Sequence, residues 1–350
     1  MVIFPEGLFM QTKKPMDKGK KKKIILTVLC VFLTLAAVAA GVLFHELKKD
    51  YTCKEQNGFS MGSVVTVRLY GDDTFKKLSV VKGIIDNLDK DISRNIEGSS
   101  VSLINEGGSA ESAKTAAIFT ECRKVSKMSG GRFDLTVGAL SSLWNFDADT
   151  KRIPEEKAIK KALKTVDYKR VQVNGNIVTA AKGQQLDLGA VGKGAACDAV
   201  SEYIKNCGAK GGVVSVGGSI FAWGKRNRAG DKWRIAVRHP RQENAYIGVI
   251  KLSEGFVSTS GDYEKYFEQD GKRYHHILDA TTGYPAESDL ASVTVICRSG
   301  ALSDALSTAC FILGEEKSKA LLDEFSAAAV FVDGNLNVTT YGDVDFEKTA

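Results

Sequence analysis

The sequence has no CxxC pair, and none of its seven cysteines stands at zinc-ligand spacing from a histidine. That argues against a structural zinc site. Cys30 falls in an apolar run. Cys53, Cys122, Cys197, Cys207, Cys297 and Cys310 follow it, several in apolar contexts where a free buried thiol is the simpler reading. Their spacing defines no disulfide pairing. Histidine is scarce as well: His45, His239, His275 and His276 are the only imidazoles. No segment repeats at a fixed period, which excludes solenoids and propellers. A basic groove for nucleic acid is also missing. The net charge is +6, but residues 1–23 carry seven lysines against Glu6 and Asp17, so the rest of the chain is close to neutral.

Charge is absent altogether from residues 24–44, which are mostly Leu, Val, Ala, Ile and Phe. A helix of that length spans about 31 Å, close to the hydrocarbon core of a bilayer. The lysines directly before it predict a cytoplasmic N-terminus and translocation of the chain beyond the apolar run. A cleaved signal peptide competes, helped by the small residues at 36–41, but cleavable apolar cores run to about 7–15 residues and this one is longer. The expected organisation is a basic cytoplasmic segment (1–23), a transmembrane signal-anchor (24–44), a juxtamembrane linker (45–57) and an extracytoplasmic domain (58–350).

The remainder, within a chain of 350 residues and 43% hydrophobic content, can bury a full core. Residues 64–70 alternate and are β-branched, which predicts a strand. Apolar residues at helical spacing predict helices over 75–92, 109–129 and 154–166. Residues 171–178 read as a hairpin around Asn174-Gly175, and 185–188 as a short strand. A helix over 195–205 comes next, then strands near 212–216, 233–238, 247–252 and 293–297. Helices over 303–313 and 317–325 and two strands around Asp333-Gly334 complete the pattern. Without regular βα alternation the fold class is α+β: a single catalytic domain of mixed sheets with packed helices, preceded by one N-terminal transmembrane helix.

Three places carry chemistry. Residues 189–194 form a glycine-rich turn before a helix, where backbone N–H groups can hold phosphate. Gly194 follows Lys193 where a Walker A loop needs Ser or Thr, and the spacing is not that of a dinucleotide fold. A tight turn that needs glycine for packing explains it equally well. Asp304 and Thr308 stand four apart on one helix face. Alone they read as a capping or surface pair. Hard oxygen donors and one carboxylate also suit magnesium when a substrate brings its own phosphates. His275 and His276 would point to opposite faces of a regular strand, so at most one faces a site.

Several blocks in order complete the picture: Met61-Gly62-Ser63; Ser93-Arg94 with Asn105; 131–138 with Leu143-Trp144-Asn145-Phe146; 187–194 with Asp198; 214–218; 258–263; His276-Ile277-Leu278-Asp279 through Thr282-Gly283-Tyr284-Pro285; and 304–309. With these, residues 61–314 resemble the ApbE-like FAD:protein FMN transferases. The resemblance implies an enzyme that binds FAD with Mg²⁺ and moves its FMN half onto a Ser or Thr of a target protein, releasing AMP. It implies magnesium ligation by Asp304 and Thr308 with backbone carbonyls of Ala190 and Ser307. Met61, Phe133, Asp134, Asp187, Lys193 and Leu278 would line the FAD site, and His276 would be the base. Phe133 and Trp144 are candidates to cover an aromatic ring system, with a core role equally open for Trp144. Asp279-Ala280 departs from the Asp-Pro often found there in the family. The implied partners are FAD, membrane-associated flavoprotein acceptor subunits and the cytoplasmic membrane, with no nucleic acid. A FAD pyrophosphatase and a non-catalytic flavin-binding protein are the competing readings.

Overall fold

The computed structural model describes residues 17–49, 52–71, 74–227 and 229–349. Residues 1–16 of the expected basic segment, and Asp50 and Tyr51 of the expected linker, lie outside the described residues. The chain divides into two units, Met1–Asp50 and Tyr51–Ala350. The first contains helix α1 (Lys18–Lys49). Its lysines are already helical, as their propensity allows. Its stretch Lys18–Phe44 is long and apolar enough to cross a membrane, with every described side chain exposed.

The second unit is built on an eight-stranded sheet. Its strands, in spatial order, are β1 (Cys53–Ser60), β2 (Ser63–Tyr70), β6 (Gly211–Val216), β7 (Ser219–Gly224), β10 (Gly255–Gly261), β13 (Leu290–Cys297), β14 (Ala328–Asp333) and β15 (Val338–Tyr341). Every ladder in it is antiparallel. Three small antiparallel sheets accompany it: β3 (Ser109–Glu111), β5 (Ile177–Thr179) and β4 (Gln172–Asn174); β11 (Tyr266–Gln269) and β12 (Lys272–His275); and β16 (Phe346–Lys348), β9 (Tyr246–Leu252) and β8 (Trp233–Arg238).

Helices pack on one face of the large sheet. α2 (Thr74–Ile92) buries Leu78, Val81, Ile85, Leu88 and Ile92, the stripe expected from their spacing. α3 (Ser100–Gly107), α4 (Ala113–Met128), α5 (Gly138–Trp144) and α6 (Glu156–Leu163) succeed it along the chain. α7 (Gly192–Asn206), α8 (Gly300–Leu313) and α9 (Glu315–Glu324) complete the set. The β8–β9 sheet covers the other face. Alternate residues of β14 therefore enter two cores: Ala329 and Phe331 join the helices, Val330 and Val332 join Trp233, Ile235 and Ile250. A central strand buried on both faces reads as an unbroken apolar run.

The departures from expectation have local causes. Strand β1 begins at Cys53, inside the expected linker; its one exposed face makes the sequence polar. Residues 109–111 are strand rather than helix, because Ser112 caps α4 by accepting from the Thr115 N–H. Residues 185–188 form no strand. Asn105 clamps them instead, donating to the Leu186 carbonyl (3.0 Å) and accepting from its N–H (2.6 Å). Helix α8 starts three residues early, capped by Ser299, and is buried almost all round, so no periodicity marks its beginning.

Candidate active site

Two helices meet at glycine. A Cβ on Gly194 would lie 1.9 Å from the Gly300 carbonyl oxygen, and one on Gly300 would lie 2.1 Å from that of Gly194. Only glycine allows α7 and α8 to approach this closely. The Asp198 carboxylate of α7 then caps α8 from outside it, accepting from Ser299 Oγ (3.1 Å) and the N–H groups of Gly300 (2.7 Å) and Ala301 (2.8 Å). In return, Asp304 of α8 accepts from the Gly194 N–H (2.6 Å) in the first turn of α7. The helix dipole favours a carboxylate there. Packing thus explains Gly194, and its N–H serves Asp304 rather than standing open.

Asp304 is no surface residue; it is 6% exposed. Its other oxygen accepts from Ser219 Oγ at 2.5 Å. Burial raises its pKa, opposed first by Lys193 and then by these hydrogen bonds. One turn on, the hydroxyls of Ser307 and Thr308 lie 2.8 and 3.1 Å from Ser260 Oγ on β10. Ala190 is half-buried in the turn that enters α7. Among the described residues no group of three His, Cys, Asp or Glu side chains is placed to hold a metal. Magnesium needs none: one carboxylate, hydroxyls and carbonyls suffice beside substrate phosphates. The buried carboxylate with its adjoining hydroxyls fits that ion.

Lys193 links this cluster to the histidine. Its stem passes Gly217, where a Cβ would lie 3.2 Å from Lys193 Cδ and 2.9 Å from Ser63 Oγ. Its charge acts on both Asp304 and His276. The His276 N–H donates to the Lys265 carbonyl (2.9 Å), while its buried Nδ1 has no partner. Burial, then Lys193, His275 and Lys265, lower its pKa to about 4, so the imidazole is neutral at pH 7. His275 differs. Its Nε2 lies 3.0 Å from the Ala286 carbonyl, its Nδ1 accepts from the Ile277 N–H, and its ring meets Phe311 edge-on. Both its nitrogens serve the fold.

Met61 and Gly62 form the two-residue turn between β1 and β2, at φ +53° and +65°. A methionine in the left-handed region is strained. Its Cε lies 3.3 Å from where Gly192 would carry a Cβ. Asp187 accepts from the Gly189 N–H and from Arg94 Nη1 (both 2.9 Å); Arg94 also reaches Ser142. The Asp134 carboxylate is occupied by the Thr136 N–H, Thr136 Oγ1 and the Tyr168 N–H. Phe133 is buried in the main core. Leu278 packs against the cluster of Trp144, Phe146 and Phe267, beside Tyr274 and Tyr284. Trp144 belongs to that core, its indole N–H donating to the Gly283 carbonyl (2.9 Å). The Asp279-Ala280 departure is compensated: the Ala280 N–H donates to the Arg132 carbonyl (2.9 Å), a bond proline cannot make.

The structure therefore brings Asp304, Ser307, Thr308, Lys193 and His276 into one electrostatic neighbourhood, with Met61 at the head of α7. It turns Phe133 and Asp134 into packing and turn contacts. Ser219, Ser260, Arg94 and Asp198 join the assembly although the sequence assigns them no role; all but Ser219 lie in the blocks that carry the family resemblance. Two cavities of about 860 and 730 Å³ lie elsewhere, the first bordered by Asp134 and Thr281, the second by Arg132 and His275.

The sequence pattern of the ApbE family matches residues 61–331. The FAD:protein FMN transferase of Treponema pallidum is 33% identical over 299 residues, covering 78% of this chain and 82% of its own. That of Haemophilus influenzae is 29% identical over 330 residues, covering 89% and 93%. The crystal structure of the ApbE protein of Thermotoga maritima superposes with a TM-score of 0.75 at 31% identity, over 82% of this chain and 96% of that one. The apo Pseudomonas stutzeri flavinyl transferase ApbE gives 0.72 at 33%, over 83% and 94%.

Proposed function

The chain belongs to the ApbE family, and from that premise we propose that it moves the FMN half of FAD onto a Ser or Thr hydroxyl of a target flavoprotein. The acceptor oxygen bonds to the FMN phosphorus, the bond to the second phosphate breaks, and AMP leaves. The observation that carries this reading is the trio of Asp304, Lys193 and His276: a buried carboxylate, a cation and a neutral imidazole whose buried Nδ1 has no partner.

Magnesium, held by Asp304, Ser307, Thr308 and the Ala190 carbonyl, would neutralise charge on the pyrophosphate oxygens. Lys193 adds a second positive charge on the same side. Met61, Asp187 and Leu278, with the chain around Phe133 and Asp134, would border the flavin nucleotide. His276 takes the hydroxyl proton. A Ser or Thr hydroxyl is a weak nucleophile at neutral pH, and an imidazole already neutral can accept its proton. Substrate phosphates beside Lys193 would offset part of the field that depresses its pKa. One solved relative, the flavin transferase of Vibrio cholerae, also has a solved structure as a histidine-to-glycine mutant.

We further propose that α1 is an uncleaved anchor with its N-terminus in the cytoplasm, placing the catalytic unit outside and its acceptors among membrane flavoproteins. The lysines before the apolar stretch support that orientation. A phosphatase fused to the C-terminus should be active; an inactive fusion would reverse the topology.

The test of the chemistry is incubation of the full chain with FAD, Mg²⁺ and membranes from a strain lacking this gene. Flavin fluorescence should appear on protein bands as AMP is released. Free FMN without labelled protein would assign a FAD pyrophosphatase instead. FAD retained unchanged would assign a flavin-binding protein.

A further inference from the structure

We propose that the free edge of β1 is the docking site of the acceptor: an extended segment of the flavoprotein pairs with β1 and carries its Ser or Thr to the site. This rests on the transferase reading above. Strand β1 is the outermost strand of the large sheet and pairs with β2 without a slip, from Ser60↔Ser63 to Cys53↔Tyr70. A two-residue turn makes Ser60↔Ser63 a hydrogen-bonded pair, so Ser60, Gly58, Gln56 and Lys54 bond inward to β2. Phe59, Asn57, Glu55 and Cys53 then turn their N–H and C=O groups to the free edge. The next ladder agrees: the Val64 and Tyr70 carbonyls, on alternate residues of β2, accept from Gly217 and Lys210 on its far side. None of the four outward N–H groups has a partner among the described residues.

Natural sheets blunt such edges with proline, bulges or charge. β1 has no proline and no bulge, and its charges, Lys54 and Glu55, sit far from the turn, Glu55 being paired with Arg68. The end near the turn is apolar. Phe59 is 69% exposed and lies directly opposite Val64, which is 63% exposed. That end leads into the site: Met61 rests against Gly192, and Ser63 and Lys193 converge on Gly217. An acceptor hydroxyl must reach a recessed centre where Asp304 and His276 Nδ1 are buried. A folded convex surface cannot enter it, whereas an extended strand can, with main-chain bonds to β1 giving affinity and Phe59 contacting its side chains.

The test uses the full-length protein in detergent, FAD, Mg²⁺ and membranes from the deletion strain, with labelling rate measured against membrane concentration. Asn57→Pro removes one outward N–H and leaves the β1–β2 ladder whole. It should raise the half-saturating membrane concentration roughly tenfold, the size of one lost hydrogen bond. Asn57→Ala, which removes the side-chain bonds to Glu55 and Thr66 but keeps the N–H, should change it less than about twofold. FAD binding should be unchanged in both. Equal labelling by Asn57→Pro overturns the proposal, as does an equal loss in Asn57→Ala. If Asn57→Pro is poorly folded, Phe59→Ser decides: an unaltered membrane dependence overturns the docking face. A wild-type dimer that Asn57→Pro converts to monomer would give the edge to a second copy instead. Failure of the wild-type protein to label any band would refute the transferase reading itself, and is read separately from the variants.

Discussion

Burial pushes the Asp304 carboxyl above its ordinary pKa, and Lys193, Ser219 and the Gly194 N–H oppose that rise. Ser219→Ala removes one of these without touching a proposed metal ligand. Outer hydroxyls of this kind tune metal affinity by roughly 10–100-fold. The Mg²⁺ concentration for half-maximal AMP release should rise by about that factor; an unchanged value would show that Asp304 is not the metal's carboxylate. His276 makes the opposite adjustment. Its folded pKa of about 4 lies below the ordinary 6.5. Between those values the unfolded chain takes up a proton that the folded chain refuses. Stability from this group is therefore complete above about pH 6.5 and is lost as pH falls toward 4, by about 3 kcal/mol at most. Urea unfolding at pH 7 and pH 4.5 should show a larger loss in the wild type than in His276→Gln; equal losses would mean the imidazole is not depressed. The same value predicts that kcat/KM holds its plateau well below pH 6 before its acid limb, since that parameter reports the free enzyme. A break near 6.5 would contradict it.

The α7–α8 pair is the element that makes the site, and its joints are few: the glycine crossing, the Asp198 cap and the bond from Gly194 to Asp304. Asp198→Ala leaves the Gly300 and Ala301 N–H groups without their acceptor. The expected cost is about 2–4 kcal/mol, from a lost cap and buried unsatisfied donors. A weaker Mg²⁺ response should accompany it, because α8 carries Asp304, Ser307 and Thr308. Denaturation together with a Mg²⁺ titration checks both, and a stable variant with wild-type metal dependence would free α8 from this cap. These joints also mark the limit of the sequence. Strands such as β2 and helices such as α2 were legible because one face is wet and the apolar pattern shows its period. β1 was not, being polar on its exposed face, and neither was the start of α8, apolar all round. The site divides in the same way. His276, Lys193 and Asp304 stood out as chemistry-bearing types in matching blocks. Their partners did not: Ser219 and Gly194 bond Asp304 across 85 and 110 residues of chain, separations no local pattern encodes.

At the scale of the whole molecule, the two units carry opposite kinds of apolar surface. Unit 2 buries most of its large aliphatic side chains in contiguous cores, whereas α1 exposes its apolar side chains from Ile24 to Phe44. An exposed apolar helix of this length is stable in lipid and a liability in water. Removal of residues 1–50 should therefore cost unit 2 nothing of its own core. The shortened protein should remain in solution after ultracentrifugation, melt within about 2 °C of the full chain and bind FAD as tightly, since the retained contacts set its stability. Its labelling of membrane acceptors should nevertheless slow. On the proposed topology enzyme and acceptor share one membrane surface, and losing α1 replaces a high effective concentration with the bulk one. The loss should appear only when acceptor is limiting and disappear as membrane concentration rises, which distinguishes a tether from a catalytic part. A shortened protein that aggregates would show that unit 2 depends on α1 to fold. One that labels membranes at the full-length rate when acceptor is scarce would show that the anchor plays no part in bringing enzyme and acceptor together.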